Sequence, residues 1–207
     1  MDKKFTIVIF TDLDGSLLHR DTFKFDSIKD YIKNLVNNEI IIIPNSSKTE
    51  KEIEKFNNEL GIELPYISEN GSFIHGLNLI NNNFPNKIVL SREKEELLKI
   101  FNDNVPEQLK NKCTQISKIK KKEQEKIFGQ KGSKLKDALD RKYTLPFLFN
   151  GDKNEKNKLI KILNSISLTL QEGGRVLNLC DNINKVKSMN RVIKILKKTK
   201  DKIKTIA

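Results

Sequence analysis

The sequence predicts an α/β fold, in which a Rossmann-like parallel sheet forms the core and an α+β unit is inserted into it. Residues 5–10 and 40–43 are short apolar runs rich in β-branched side chains, as in strands buried on both faces. Between them, residues 26–36 carry apolar side chains at helical spacing, with Asp26 or Ser27 as the expected N-cap. Strand, helix and strand then form a βαβ unit, whose two strands lie side by side and parallel.

Composition narrows the class of protein. The chain has 207 residues, a net charge of +12 and only two cysteines, Cys113 and Cys180. The positive excess is mostly lysine without interleaved aromatic residues, so we do not expect nucleic-acid binding. No apolar run approaches the roughly 20 residues that span a bilayer, and the first residues do not resemble a signal peptide. We expect a cytoplasmic protein with free thiols, no membrane partner and an acidic, phosphorylated small-molecule substrate.

Two carboxylates follow the first predicted strand, in the string Asp12-Leu13-Asp14-Gly15. Side chains two residues apart on extended backbone point the same way, so both acids can act on one reacting group. Asp12 is suited to attack phosphorus as a nucleophile, and Asp14 to transfer protons to and from the reacting oxygens. Mg²⁺ would neutralise such a pair, with Asp12 and Asp14 as its ligands. The alternative is a simple strand-to-turn junction.

The second predicted strand also ends in polar residues, Ser46, Ser47 and Lys48. Because neighbouring parallel strands end at the same edge of a sheet, we expect these residues beside Asp12. Hydroxyl, ammonium and backbone N–H groups at a helix start bind phosphate oxygens. A capping role is compatible with this, with Ser47 or Thr49 at the start of a helix over residues 50–60.

The string D-L-D-G-S-L-L resembles the first motif of the haloacid dehalogenase (HAD) superfamily of phosphatases. S-S-K-T-E followed by P-Y-I-S-E-N-G-S is similar to its mannosyl-3-phosphoglycerate phosphatase family. The resemblance implies a Mg²⁺-dependent enzyme that forms an aspartyl-phosphate and converts mannosyl-3-phosphoglycerate to mannosylglycerate and phosphate. It assigns Ser46 to the second motif and Asn70 to the substrate site. A plain Asn70-Gly71 turn is the alternative.

The same resemblance implies that residues 77–170 form a substrate-specificity cap, and that residues 1–76 and 171–207 form the split core. Arg141 and Arg175 match arginines of the family, and both are candidates for binding the glycerate carboxylate or a phosphate. Lys185 falls on the family's catalytic lysine, although Lys187 is a rival for that role. The pattern predicts helices and strands within the cap over residues 87–90, 93–101, 113–116, 121–128, 133–139, 144–149 and 155–166.

The resemblance ends at the strand predicted over residues 202–207, the expected neighbour of the first strand. In the family, G-D-x-x-N-D follows and supplies further Mg²⁺ ligands. We therefore expect a chain cut short before this fourth motif, with a core incomplete at its C-terminus. Alternatives are a catalytically impaired homologue that binds sugar phosphates without efficient turnover, and a partner that completes the sheet. The oligomeric state stays open.

Overall fold

The computed structural model describes residues 5–172, 176–200 and 202–207, which divide into two units. The first unit runs through Leu90 and resumes at Asn184, and the second unit is Ser91–Ile183. The expected junctions at residues 76 and 170 therefore lie within the first and the second unit, respectively. Strand pairing explains both differences, as described below.

The first unit contains a parallel sheet of three strands, as predicted. It comprises β1 (Thr6–Thr11), β2 (Ile41–Pro44) and β10 (Ile203–Ile206), in the order β10-β1-β2. Both pairings of β1 are parallel. Adjacent parallel strands bring the carboxyl ends of β1 and β2 to the same edge of the sheet.

The described residues of the first unit form three α-helices: α1 (Lys29–Asn37), α2 (Glu50–Leu60) and α8 (Lys185–Leu196). Thr49 caps α2 in a reciprocal box with Glu52, which confirms one of the two predicted caps.

The predicted N-cap of the first helix is wrong. Asp26–Ile28 form a 3₁₀ turn, and α1 follows without a side-chain cap. The Asp26 carboxylate instead pairs with the Lys29 ammonium at 2.9 Å. The side chain that could have capped the helix is therefore used in an ion pair across the turn.

A small antiparallel sheet completes the first unit. Its strands are β3 (Tyr66–Ser68), β4 (Phe73–His75) and β5 (Lys87–Val89), with a 3₁₀ turn at Glu69–Gly71 between the first two. A parallel bridge between Asn45 and Ile67 joins β3 to the end of β2. Because β5 pairs with β4, the chain leaves the first unit only after Leu90.

The core of the first unit lies between its sheets and α8. β1 contributes two residues that are almost fully buried, and the inner face of α8 contributes three. The buried residues of this core are Val8, Phe10, Ile43, Ile67, Ile74, Leu77, Phe84, Val192, Ile195 and Leu196. Packing of α8 over β1 fixes where the first residue of α8 lies.

The second unit is built on an antiparallel sheet of order β6-β7-β9-β8. Its strands are β6 (Cys113–Gln115), β7 (Thr144–Phe149), β8 (Leu168–Glu172) and β9 (Leu177–Asp181). The sequence prediction assigned residues from 171 onward to the core. However, β9 pairs with both β7 and β8, so the second unit extends to Ile183.

Five α-helices accompany this sheet in the described part of the second unit. They are α3 (Lys94–Asn104), α4 (Glu107–Lys110), α5 (Lys121–Phe128), α6 (Gly132–Leu139) and α7 (Lys153–Ser165). The second unit has a hydrophobic core of its own, formed by Leu97, Phe101, Val105, Leu109, Phe147, Leu159, Leu163, Leu168 and Leu179.

No helix in the described ranges combines the length and the apolar character that crossing a bilayer requires. Cys113 is half-buried and Cys180 is buried, and neither forms a disulfide in the residues the structure covers. Burial raises the pKa of the Cys113 thiol to about 11, so this thiol stays protonated at neutral pH.

An ion pair joins the first and last segments of the second unit. The Arg92 guanidinium donates to both oxygens of Asp181, at 2.8 Å each, and its backbone N–H donates to the same carboxylate at 3.0 Å. Burial alone would raise the pKa of Asp181. The hydrogen bonds from Arg92 and from the backbone N–H of Asn182 outweigh burial, and the pKa lies below its ordinary value.

We predict that Asp181→Asn lowers the free energy of unfolding by about 2 kcal/mol at pH 7, because a charge-assisted pair with limited exposure is lost. The depressed pKa of Asp181 means that its stabilisation is present above about pH 4 and is lost as pH falls further. The difference between wild type and variant, measured by urea denaturation with circular dichroism, should therefore shrink as the pH falls below about 4.

The control is Glu172→Gln, which removes a shorter but more exposed pair. Lys156 and Glu172 are 2.6 Å apart, and the Glu172 side chain is 68% exposed. We expect a change within about 0.5 kcal/mol for this variant. Equal losses in the two variants would show that burial does not set the strength of the Asp181 pair.

Candidate active site

Polar groups of the first unit gather where β1 and β2 end. Thr11 is in register with Pro44, and the Asn45 N–H donates to the Thr11 carbonyl at 2.8 Å. The two chain segments therefore leave the sheet side by side. Asp12 follows one strand and Ser46 follows the other, and the position of Ser46 beside Asp12 stays a prediction.

Asp12 is held by one residue on each carboxylate oxygen. Oδ1 accepts from the Leu13 N–H at 2.8 Å, and Oδ2 accepts from the Lys185 ammonium at 2.7 Å. The Asp12 side chain is still 43% exposed, so a ligand can reach it. Of the two rival lysines, Lys185 contacts Asp12, and the Lys187 N–H bonds to the capping side chain of Asn184 at 2.9 Å.

Asp14 has its own cation, Lys48. The Lys48 ammonium lies 3.0 Å from Asp14 Oδ1 and 3.3 Å from Glu52 Oε1. It also lies over the Phe23 ring, 4.9 Å from the ring centroid. The Lys48 side chain is only 8% exposed, whereas that of Asp14 is 40% exposed. Sequence reasoning assigned Lys48 to phosphate but missed Phe23 and Glu52, although the four-residue spacing of Lys48 and Glu52 was a readable signal.

The turn after Asp14 depends on Gly15, whose φ of +76° lies in the left-handed region. The Gly15 N–H donates to the Leu18 carbonyl, and the Leu18 N–H donates to the Leu13 carbonyl. Both leucines are buried, so they anchor the turn in the core while Asp14 faces outward.

Ser46 and Asn70 are both buried and are connected by a backbone hydrogen bond. Ser46 is fully buried, its hydroxyl accepts from the Lys48 N–H at 3.3 Å, and its carbonyl accepts from the Asn70 N–H at 3.0 Å. Asn70 has a φ of +61° inside the turn that follows β3. Ser47 is partly exposed between Ser46 and Lys48. These four predicted residues thus lie in continuous hydrogen-bonded segments next to the end of β2.

The start of α8 packs against the turn at Glu69–Gly71. Ser188 Oγ donates to the Gly71 carbonyl at 2.6 Å, and Asn45 Nδ2 donates to the Lys185 carbonyl at 3.3 Å. Gly71 has a φ of +104°, and a Cβ there would lie 2.6 Å from the Asn184 carbonyl group. This close contact positions Lys185, and sequence reasoning gave no sign of it, because the partners are far apart in the chain.

The two predicted arginines belong to the second unit. Arg141 is buried, and its Nη1 donates to Thr144 Oγ1 at 3.0 Å. Arg175 lies outside the described residues. Any contact of either arginine with a ligand stays a prediction.

The groups that could hold Mg²⁺ at this edge of the sheet are the Asp12 carboxylate and the Asp14 carbonyl. Both aspartates are partly exposed, and a hard ion can complete its shell with water and phosphate oxygens. No group of three His, Cys, Asp or Glu side chains capable of holding a metal occurs within the residues described. The donor types fit Mg²⁺ with a shell that is largely water and ligand oxygen.

The fold and this edge of the sheet define an α/β enzyme core with paired acids and paired lysines at the carboxyl ends of its parallel strands. Residues 9–206 match the family model described as haloacid dehalogenase-like hydrolase. The chain therefore belongs to the haloacid dehalogenase-like hydrolases, which confirms the predicted superfamily and the prediction of an enzyme.

Two curated relatives carry the same name, glucosyl-3-phosphoglycerate/mannosyl-3-phosphoglycerate phosphatase. The protein from Methanococcoides burtonii is 30% identical over 218 residues, which cover 97% of this chain and 76% of the relative. The protein from Persephonella marina is 29% identical over 201 residues, covering 93% and 72%.

A solved structure agrees with the fold. A phosphatase of the haloalkanoate (HAD) superfamily from Bacteroides thetaiotaomicron has a TM-score of 0.68 and 12% identity, covering 97% of this chain and 76% of the other.

We predict that Gly71→Ala destabilises the first unit by about 3 kcal/mol, because the new Cβ collides with the backbone at the start of α8 and the residue is strained at positive φ. The control, Gly61→Ala, has a similar positive φ of +77° but meets only the flexible end of Lys33, at 3.5 Å. We expect about 1 kcal/mol there. Urea denaturation measures the free energy of unfolding of both variants. Equal losses would contradict close packing between Gly71 and the start of α8.

Proposed function

We propose that the chain is a phosphatase that hydrolyses mannosyl-3-phosphoglycerate, or its glucosyl counterpart, to the glycosylglycerate and phosphate. The observation that carries this proposal is the contact between Lys185 and Asp12, with Asp14 and Lys48 paired beside it. A nucleophilic carboxylate needs a fixed orientation and a nearby cation for the incoming phosphate, and this arrangement offers both. The names of the two curated relatives support the choice of substrate.

The proposed reaction has two steps. An Asp12 oxygen attacks phosphorus, the bond between phosphorus and the glycerate oxygen breaks, and Asp14 gives its proton to that leaving oxygen. Asp14, now ionised, takes a proton from water as the water oxygen attacks the aspartyl-phosphate. Phosphate leaves, and both aspartates return to their starting state.

The remaining residues hold the phosphate and orient the acids. Lys185 lies 2.7 Å from Asp12 and is placed to bind a phosphate oxygen as the ester enters. Lys48 orients Asp14, while Ser46, Ser47 and Asn70 line the end of β2 for further phosphate or substrate contacts. Mg²⁺ held by Asp12 and the Asp14 carbonyl would supply charge neutralisation at the phosphate.

The second unit is the proposed substrate-specificity cap. It has an independent core and sheet, so it can act as a separate body that recognises the sugar and the glycerate. Arg141 and Arg175 are the proposed contacts for carboxylate or phosphate, since guanidinium binds both in a forked geometry. The cytoplasm stays the proposed location.

We predict that Asp12→Asn abolishes phosphate release, with a loss of at least about 10³-fold, because an amide cannot act as the nucleophile. The assay is phosphate release from both glycosyl-3-phosphoglycerates with Mg²⁺. Asp30→Asn, an exposed change in the first turn of α1, is the control and should keep wild-type activity. Turnover by a correctly folded Asp12→Asn protein would remove Asp12 as the nucleophile.

Lys185 and Lys187 can be distinguished by the matched pair Lys185→Gln and Lys187→Gln. We predict a loss of about 10²-fold or more in kcat/KM for the first, because it removes the cation at Asp12. The second should change kcat/KM by less than about threefold. The reverse order of effects would transfer the phosphate-binding role to Lys187.

A second candidate function is binding of the sugar phosphate without efficient turnover. It is favoured by the sparse set of metal donors, since no group of three metal-binding side chains occurs in the described ranges. Calorimetric titration with mannosyl-3-phosphoglycerate distinguishes the two functions. Saturable binding without phosphate release at any Mg²⁺ concentration would support this second function and overturn the first.

A further inference from the structure

A cavity of about 300 Å³ lies in the first unit, among residues other than those of the candidate active site. It is bordered by the second half of α2, the beginning of β3, the end of β4 and the turn after it. Its lining residues include two glutamates, several asparagines and two aromatic rings. Tyr66 is the first residue of β3, whereas Asn70 of the candidate active site follows the end of that strand.

Three oxygens of the cavity lining have no hydrogen-bond partner among the residues described: Tyr66 Oη, Asn57 Oδ1 and Asn78 Oδ1. Tyr66 is 1% exposed and Asn57 is 6% exposed. Asn57 is held in place by its amide nitrogen, which donates to the Leu64 carbonyl at 3.0 Å. Buried polar atoms are rarely left without a partner, so these oxygens indicate a guest that donates hydrogen bonds.

The cavity is acidic although the chain as a whole carries a net charge of +12. Glu54 and Glu63 are exposed at its border, and neither forms an ion pair within the described segments. Lys87, the nearby cation, lies 3.9 Å from Glu50. Burial raises the pKa of Tyr66, and the charges of Glu50, Glu54 and Glu63 raise it further, so Tyr66 keeps its proton. Two negative groups thus face the cavity.

Two rings form an aromatic wall. Tyr66 and His75 have ring centroids 5.0 Å apart in a tilted arrangement. Burial is the main cause that lowers the pKa of His75 below its ordinary value, so this ring is neutral at pH 7 and does not repel a cation. A cation beside aromatic faces and carboxylates gains from both.

We propose that this cavity binds a small organic cation with several N–H donors, a diamine or a guanidinium compound. The N–H groups satisfy the oxygens of Tyr66, Asn57 and Asn78, and the charge is balanced by Glu54 and Glu63. A metal ion fits less well, because no group of three metal-binding side chains occurs in the described residues and the volume is far larger than one ion needs.

The test is calorimetric titration of the whole chain with agmatine, which carries a guanidinium and an amine, and with 1,4-butanediol as the neutral probe. We expect saturable binding of agmatine and at least about tenfold weaker binding of the diol. Glu54→Gln combined with Glu63→Gln should weaken agmatine binding about tenfold or more. Glu59→Gln, an exposed change on α2 outside the cavity, is the matched control and should leave binding within about twofold.

Two further readouts locate the site. The chain has two histidines, so agmatine should shift the ring protons of His75, which lines the cavity, and leave those of His19 unchanged. Tyr66→Phe should weaken agmatine binding severalfold without lowering stability, because it removes an unpaired hydroxyl.

The proposal is overturned if agmatine shows no saturable binding up to about 10 mM, which corresponds to an affinity too weak to be specific. It is equally overturned if the Glu54→Gln, Glu63→Gln protein binds agmatine as wild type does, or if His19 shifts and His75 does not. None of these outcomes depends on phosphatase activity, so the proposal can fail while the proposed reaction stands.

Discussion

The arrangement of the first unit depends on compensating two carboxylates placed one residue apart. Asp12 and Asp14 would repel each other, and each is matched by a lysine from another part of the chain. Lys48 comes from the end of the neighbouring strand and is buried, whereas Lys185 comes from the first turn of α8. The parallel sheet therefore brings these charged groups together. The contacts that position α8 also position the Lys185 ammonium beside Asp12.

The packing of α8 controls the position of Lys185 relative to Asp12. Its inner face packs on β1, and its first turn closes on Gly71 through Ser188 and Asn184. Packed interiors resist even small changes in volume, so the packing of α8 fixes the backbone position of Lys185, whose ammonium contacts Asp12. The second unit has its own sheet and hydrophobic core.

Local patterns made much of the fold predictable. The apolar runs of β1 and β2, the Thr49–Glu52 capping box and the Asp-Gly turn all act within a few residues, and the structure contains each of them. Parallel pairing then brings the segment after β2 beside the segment after β1, where Lys48 contacts Asp14. The α1 cap failed because Asp26 had a competing local partner, Lys29.

Contacts between distant residues could not be predicted in the same way. β9 and the last two residues of β8 were assigned to the core because nothing in the sequence of β9 identifies its partners, β7 and β8. Lys185 was identified through family resemblance, and its contact with Asp12 spans 173 positions. The oxygens of Tyr66 and Asn57 become unusual only once burial and missing partners are known.

The charge of the site explains why a further cation is expected in the proposed reaction. The site holds three carboxyl groups, those of Asp12, Asp14 and Glu52, and two ammonium groups, those of Lys48 and Lys185. A phosphate monoester adds up to about two more negative charges. The two lysines alone cannot offset that total, although the overall positive charge of the chain favours the approach of the substrate. A divalent ion at the two aspartates would restore the balance at the point where the phosphate must lie, and this is the physical argument for Mg²⁺ in the proposed mechanism.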